Sequence, residues 1–214
     1  MNPKLLSAPL ALFILGAAPA VSPTLVTGSW TNEEDRYFAA EKGGASPDWL
    51  GIEVANGQWR KADAYGAAKS EWRPLPVPGM SRDGEGRWWM ALGDARRTEL
   101  RHGSPFTCWM AIPRFAKKPD GSDDTLFAAK LRLHDQGGRV TIGGGDSGAP
   151  QAIFRVRNVV WPAPSTNRPS LVLYVIKPDA PDKAVSYSWG DPEARLIGIN
   201  LRWVQGSCTR DPAD

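Results

Sequence analysis

Few residues in this chain have the types and spacing that chemistry requires. Ser147 stands in Gly145-Asp146-Ser147-Gly148-Ala149-Pro150. A serine becomes a nucleophile only beside a histidine base that a carboxylate orients. The chain has two histidines: His134, on a predicted strand 13 residues before Ser147, and His102, 45 residues before it in Arg101-His102-Gly103. The run from Gly143 to Gly148 is made of turn-forming residues and reads as a hairpin loop. Asp120-Gly121-Ser122-Asp123-Asp124 places carboxylates close enough to hold calcium, but it lacks the spacing of a calcium loop and reads as a solvated turn. No Cys/His cluster has zinc spacing, and Gly143-Gly144-Gly145 has neither the lysine nor the helix of a nucleotide loop. Neither a metal nor a cofactor is expected.

The tryptophans are the remaining resource, ten in all. Trp30, Trp59, Trp109, Trp189 and Trp203 fall within strand patterns and read as core. Trp88 and Trp89 are neighbours on a strand, so one ring should point inward and the other outward. The outward one, with Trp49 or Trp72, would stack on a sugar ring or a partner protein.

The elements that position these residues are mostly strands. Thr31 followed by Glu34 has the form of a capping box, acidic residues fill the next turn, and Gly43-Gly44 is a stop signal, which together predict a short helix over 32–41. From Trp49 onward the punctuation is that of hairpins. Asn56-Gly57, flanked by 49–55 and 58–65, signals a two-residue turn with both central φ values positive. Pro74, Pro76 and Pro78 make 72–80 an extended connection or an edge. After the turn at 83–86, strands are predicted over 87–92, 98–101, 106–115, 126–135, 139–142, 152–161, 171–177, 184–189 and 196–204. In 126–135 the residues Phe127, Ala129, Leu131 and Leu133 form a dry face opposite Lys130, Arg132 and His134. Ile197, Ile199, Leu201 and Trp203 repeat that pattern, whereas 171–176 is apolar on both faces and should be central. About ten such strands predict an all-β fold, a single antiparallel barrel or sandwich with one short N-terminal helix.

The chain has 214 residues, and 1–20 reads as a signal peptide: Lys4, an apolar run over 5–17, then Ala18-Pro19-Ala20. The apolar run is short for a membrane span, so no stable membrane anchor is expected and the protein is expected to be periplasmic or secreted, with 21–214 forming one all-β domain. Loss of Lys4 lowers the formal charge from +3 to +2. So mild a charge argues against nucleic acid as a partner. In an oxidising compartment Cys108 and Cys208 would form a disulfide. Its loop of about 100 residues would contribute about 4 to 5 kcal/mol in the chain-entropy model. Two buried free thiols are the alternative.

Gly28-Ser29-Trp30-Thr31-Asn32 resembles the G-x-W signature that opens the first strand of calycins, the lipocalin and avidin superfamily. The resemblance implies a barrel in which Gly28 allows a tight entry and Trp30 plugs the closed end. It also implies that an arginine of the last strand, here Arg202, packs across Trp30, and that a small apolar or amphipathic ligand sits at the opposite end. Asn32-Glu33-Glu34-Asp35 is similar to the Asn-x-x-Gln turn of the T-type phycobiliprotein chromophore lyases, with Asp35 in place of the glutamine. The Ser147 motif resembles the G-D-S-G-G-P of chymotrypsin-like proteases. It has Ala149 for a glycine, no Ala-Ala-His-Cys around His102, and too few residues after His102 for the intervening strands. The expectation is therefore an exported small-ligand-binding protein. The alternatives are an envelope glycan- or protein-interaction module using exposed Trp72, Trp88 or Trp89, and, behind both, a protease using Ser147.

Overall fold

The computed structural model describes residues 25–181 and 183–212, so the expected leader lies outside the described residues. Fifteen strands and one helix follow in chain order: β1 (Gly28–Thr31), α1 (Glu33–Glu41), β2 (Gly51–Ala55), β3 (Gln58–Lys61), β4 (Arg73–Pro74), β5 (Met80–Arg82), β6 (Trp88–Gly93), β7 (Arg96–Gly103), β8 (Pro105–Lys117), β9 (Asp123–His134), β10 (Gln136–Ile142), β11 (Ala152–Val159), β12 (Ser170–Ile176), β13 (Ala184–Gly190), β14 (Leu196–Asn200) and β15 (Gln205–Arg210). The fold is all-β with antiparallel, curled sheets and, among the described residues, a single α-helix, as the strand and turn signals predict.

β1 to β7 form a seven-stranded sheet in the order β4-β3-β2-β1-β7-β6-β5. The Asn56-Gly57 turn behaves as its residues dictate, with φ of 50° and 71° between β2 and β3. One face of this sheet buries Trp30, Ile52, Val54, Trp59, Met90 and Leu100, with Val77 from the proline-rich connection packed among them. The remaining strands form two four-stranded sheets, β10-β11-β12-β13 and β14-β15-β8-β9. Phe106, Met110 and Ile112 of β8 meet Phe154 and Val156 of β11 and Leu171, Leu173 and Val175 of β12 between them, which makes a sandwich. β12 is central and nearly all buried, as its two-sided apolar sequence requires. Cys108 and Cys208 stand directly opposite each other on β8 and β15 and form a disulfide.

Two strand predictions need correction. The predicted dry face of 126–135 changes sides halfway. Lys130 adopts φ 58°, and the register passes from Cys108↔Leu131 to Met110↔Ala128, so β9 carries one extra residue there. Leu131 and Leu133 point toward the core, but beyond the bulge Leu126 and Ala128 take over, and Phe127 is left 62% exposed. The single predicted strand 196–204 is a hairpin, β14 and β15, and Arg202 lies in its exposed turn.

Helix α1 joins the two bodies, and its start is not the capping box expected. Asn32 is the N-cap and makes no side-chain bond to the helix amides. Its amide group instead donates to the Asp48 carbonyl (2.9 Å) and accepts from the Leu50 N–H (2.7 Å). The three acidic residues of the first turn each reach across the molecule. Glu33 meets Arg155 of β11 at 3.4 Å, Glu34 meets Arg157 of β11 at 2.7 Å, and Asp35 accepts the Thr98 hydroxyl of β7 at 2.6 Å. Arg157 is fully buried, with its guanidinium 3.8 Å from the Tyr37 ring centre. Burial works against its charge, but the carboxylate of Glu34 prevails and holds its pKa above the usual arginine value.

Removing one member of a buried pair strands the other charge, at a cost of about 3 to 5 kcal/mol, whereas an apolar replacement of both is far milder. Urea unfolding midpoints should therefore fall sharply for Arg157→Met and for Glu34→Gln. Most of that loss should return in the Glu34→Met/Arg157→Met double variant. A double variant no more stable than the singles would show that the pair is not what locks α1 down.

Candidate functional site

A cleft of about 980 Å³ opens where the seven-stranded sheet meets the sandwich. One wall comes from β1, β2 and β7 with the 62–66 loop, and the other from the ends of β9, β10 and β15. Both histidines of the chain line it. His102 Nε2 lies 3.0 Å from the Thr27 carbonyl, which makes that nitrogen the donor and leaves Nδ1 an acceptor in the neutral ring. The same imidazole packs 5.1 Å from the Trp30 ring centre. Gly28 is what admits it: its φ is 127°, and a Cβ there would stand 2.6 Å from His102 Nε2. The glycine-tryptophan pair that opens β1 thus holds a histidine in place beside the cleft.

His134 ends β9 and is enclosed by β7 and β10. A Cβ on Gly103 would lie 3.0 Å from its Nδ1, and that nitrogen has no hydrogen-bond partner among the described residues. Burial, and secondly the nearby His102, push the His134 imidazole down to about 4. It is therefore neutral at ordinary pH. Next to it, burial pushes the Asp135 carboxyl up, while the Ser104 N–H (2.8 Å) and Arg210 (3.4 Å) oppose that shift. Arg132 pairs with Asp211 at 2.6 Å on the rim, and Arg139 lines the inner wall. Val26, Ile52, Leu133 and Trp49 supply apolar surface between these groups. Imidazoles, guanidiniums and apolar patches together suit the binding of a molecule that has both polar and apolar parts.

No protein-family model, no curated protein and no solved structure matches this chain.

The residues singled out from sequence fall in scattered places. Ser147 sits in a 3₁₀ turn (Gly145–Ser147), where its hydroxyl accepts from the Ala149 N–H at 3.2 Å; the cleft with both histidines does not include it. Trp30 is buried as expected, but His102 and Trp88 cover its ring, and Arg202 is away in the β14–β15 turn. The split of Trp88 and Trp89 holds. Trp88 packs edge-on against Trp30 at 6.0 Å, and Trp89 lies between Arg97 (4.1 Å) and Arg87 (5.4 Å) with its indole N–H on Asp83. That indole, then Arg87, holds the Asp83 carboxyl below the usual range. Trp72 is capped by Arg60 at 4.5 Å. These three rings are therefore half-buried under arginines, while Trp189, expected in the core, is 74% exposed. Trp109 is also partly exposed, stacked on Phe127 at 6.0 Å.

The Asp120 carboxylate is bound by the Ser122 hydroxyl and then its N–H, which hold its pKa below the usual range and close a turn. Among the described residues no group of three or more His, Cys, Asp or Glu could hold a metal. Sequence reasoning missed the pairing of His102 with His134. The available signal was a glycine against each ring, Gly28 and Gly103, but β1, β7 and β9 had first to be placed side by side.

The pH dependence of stability follows from His134. The unfolded chain takes up this proton near pH 6.5 and the folded chain near pH 4. Its contribution is therefore intact above about pH 6.5 and is lost progressively toward pH 4, by up to about 3 kcal/mol. Asp135 and Glu34, whose carboxyls burial pushes up, act with the opposite sign and are common to wild type and variant. Denaturation midpoints of wild type and His134→Gln across that range should diverge at pH 7 and converge in acid; parallel curves would contradict the shift. For Ser147, a fluorophosphonate serine probe should leave the side chain unlabelled, and stoichiometric labelling would reinstate it as a nucleophile.

Proposed function

We propose that this protein is an exported small-ligand-binding β-protein whose ligand occupies the cleft between the seven-stranded sheet and the sandwich. The observation that carries the reading is the cleft itself: about 980 Å³, with a wall from each body and both histidines on it. This volume falls in the range of drug-sized ligand sites. The groups that line it divide by chemistry. Ile52, Leu133 and Trp49 suit a hydrocarbon or ring portion, while Arg139 suits a hydrogen-bond acceptor of the ligand and the His102 Nδ1 a hydrogen-bond donor.

The apolar ligand expected from the calycin resemblance becomes, in this reading, an amphipathic one. The site also moves, from the end opposite Trp30 to the flank of β1, next to Gly28 and Thr31. The resemblance in architecture is supported by the curled antiparallel strands and by Trp30 at the base of the first one. It lacks an arginine across Trp30, a place that His102 occupies instead. Export rests on the leader-like 1–20 and agrees with the cross-strand disulfide.

Ser29 lines the cleft from β1 and belongs to neither core cluster, so a larger side chain there is directed at the cleft. Titration with the amphipathic dye anilinonaphthalene sulfonate should show saturable one-to-one binding to the wild type, weakened about tenfold or more in Ser29→Phe. Equal binding by both proteins, at unchanged thermal stability, would remove the cleft as the site.

A further inference from the structure

β13 reverses the ordinary rule of burial. Its small residues Ala184, Ser186 and Ser188 are the half-buried ones, and Ser188 donates its hydroxyl to the Gly198 carbonyl of β14 at 2.8 Å. Its large apolar residues face water: Val185 is 47% exposed, Tyr187 63% and Trp189 74%. They alternate along the strand and so lie on one side of it, about 6.6 Å apart in succession. Register places Trp189 opposite Val172 and Tyr187 opposite Tyr174, on the same outer face of the sheet that α1 covers farther along with Phe38. α1 therefore roofs β11 and β12 and leaves the β13 strip bare. Tyr187 meets the Tyr174 ring at 6.2 Å, but Trp189 at 74% exposure costs hydrophobic burial, as functional surfaces do.

Trp189 also forms one side of a shallow groove of about 500 Å³ with Arg168, Pro169, Ser170, Asp191 and Pro192. Arg168 and Asp191 are both exposed. Asp191 Oδ1 accepts the Glu193 N–H at 2.8 Å, and among the described residues its Oδ2 and the Arg168 guanidinium have no hydrogen bond. An indole face bordered by a free carboxylate oxygen and a free guanidinium is a combination of apolar platform, acceptor and donor.

We propose that the outer face of β13 binds a glycan. The C–H face of a pyranose stacks on Trp189, its hydroxyls are met by Asp191 and Arg168, and the next sugar of the chain reaches Tyr187. This surface is separate from the junction cleft, with which it shares no lining residue. An apolar protein partner would leave Arg168 and Asp191 desolvated without mates, which is costly. A sugar has polar rims and apolar faces and satisfies both kinds of group at once.

Co-sedimentation with insoluble β-linked polysaccharides, namely peptidoglycan, chitin and cellulose, tests this directly. The wild type should pellet with at least one of them, and binding should fall about tenfold in Trp189→Ala, the effect of one lost stacking ring. Trp189→Phe should keep most of the binding, and Arg168→Ala should weaken it without altering the circular dichroism spectrum. Ser29→Phe should pellet like the wild type, which distinguishes this surface from the cleft. Absence of binding to all three polymers, or undiminished binding by Trp189→Ala, overturns the proposal. So would a Trp189→Ala variant whose sole change is conversion of a dimer to a monomer, because that assigns the strip to a second copy.

Discussion

The structure depends on a pair of charges that water does not reach. Arg157 on β11 is fully buried, and the carboxylate that answers it, Glu34, comes from the first turn of α1. Moving either charge alone out of water costs several kcal/mol, so neither tolerates the other's departure. Glu33 and Arg155 repeat the arrangement one step along, also buried, and Thr31 donates its hydroxyl to the Gln136 carbonyl of β10 at 2.8 Å. Asp35 and Asn32 tie the same short stretch back to β7 through Thr98. Five successive residues, Thr31 to Asp35, therefore join the seven-stranded sheet to the sandwich. Apolar packing between the two bodies is sparse by comparison, since the two main core clusters are separate.

That clip also accounts for the cleft. Two curled sheets held at one line of contact by charged groups, rather than by a continuous apolar seam, leave space beside the line. The space falls next to β1 because β1 leads directly into the clip. Gly28, Trp30 and Thr31 thus serve two purposes. Trp30 belongs to the core of the first sheet, Thr31 anchors to β10, and Gly28 makes room for the His102 ring at the cleft wall. The opening stretch of the chain is adjacent to the candidate site rather than remote from it.

The sandwich is held together differently. Its interior is filled by aliphatic and aromatic side chains and closed by the Cys108–Cys208 bridge across β8 and β15. Some aromatic rings stand outside that interior: Trp109 against Phe127 on one outer face, Tyr187 and Trp189 on the other. The first pair shields itself by stacking. In the second, Tyr187 leans on Tyr174 at 6.2 Å, but Trp189 lies beside polar groups at the rim of a groove, which is why the two patches carry different weight as binding surfaces.

Much of the architecture was determined by local sequence. Asn56-Gly57 can satisfy two positive φ values and so sets a hairpin; alternation and turn residues set the strands; and the two-sided apolar run of β12 requires a central position. Residues at short range decide such features, so no knowledge of the rest of the chain is needed. What only the tertiary structure decided are matters of partner and phase. The acidic first turn of α1 had the composition of a capped helix start, yet its carboxylates answer arginines more than 120 residues away. A single extra residue at Lys130 turned Phe127 outward, and a turn at 201–204 split the last strand and removed Arg202 from the place where Trp30 would have met it. His102 and His134 came to share a cleft because β1 pairs with β7 while β9 ends against β10. The physical reason is the same in each case: a buried charge, a bulge or a cleft wall takes its meaning from the group opposite, and sequence separation holds no record of which group that is.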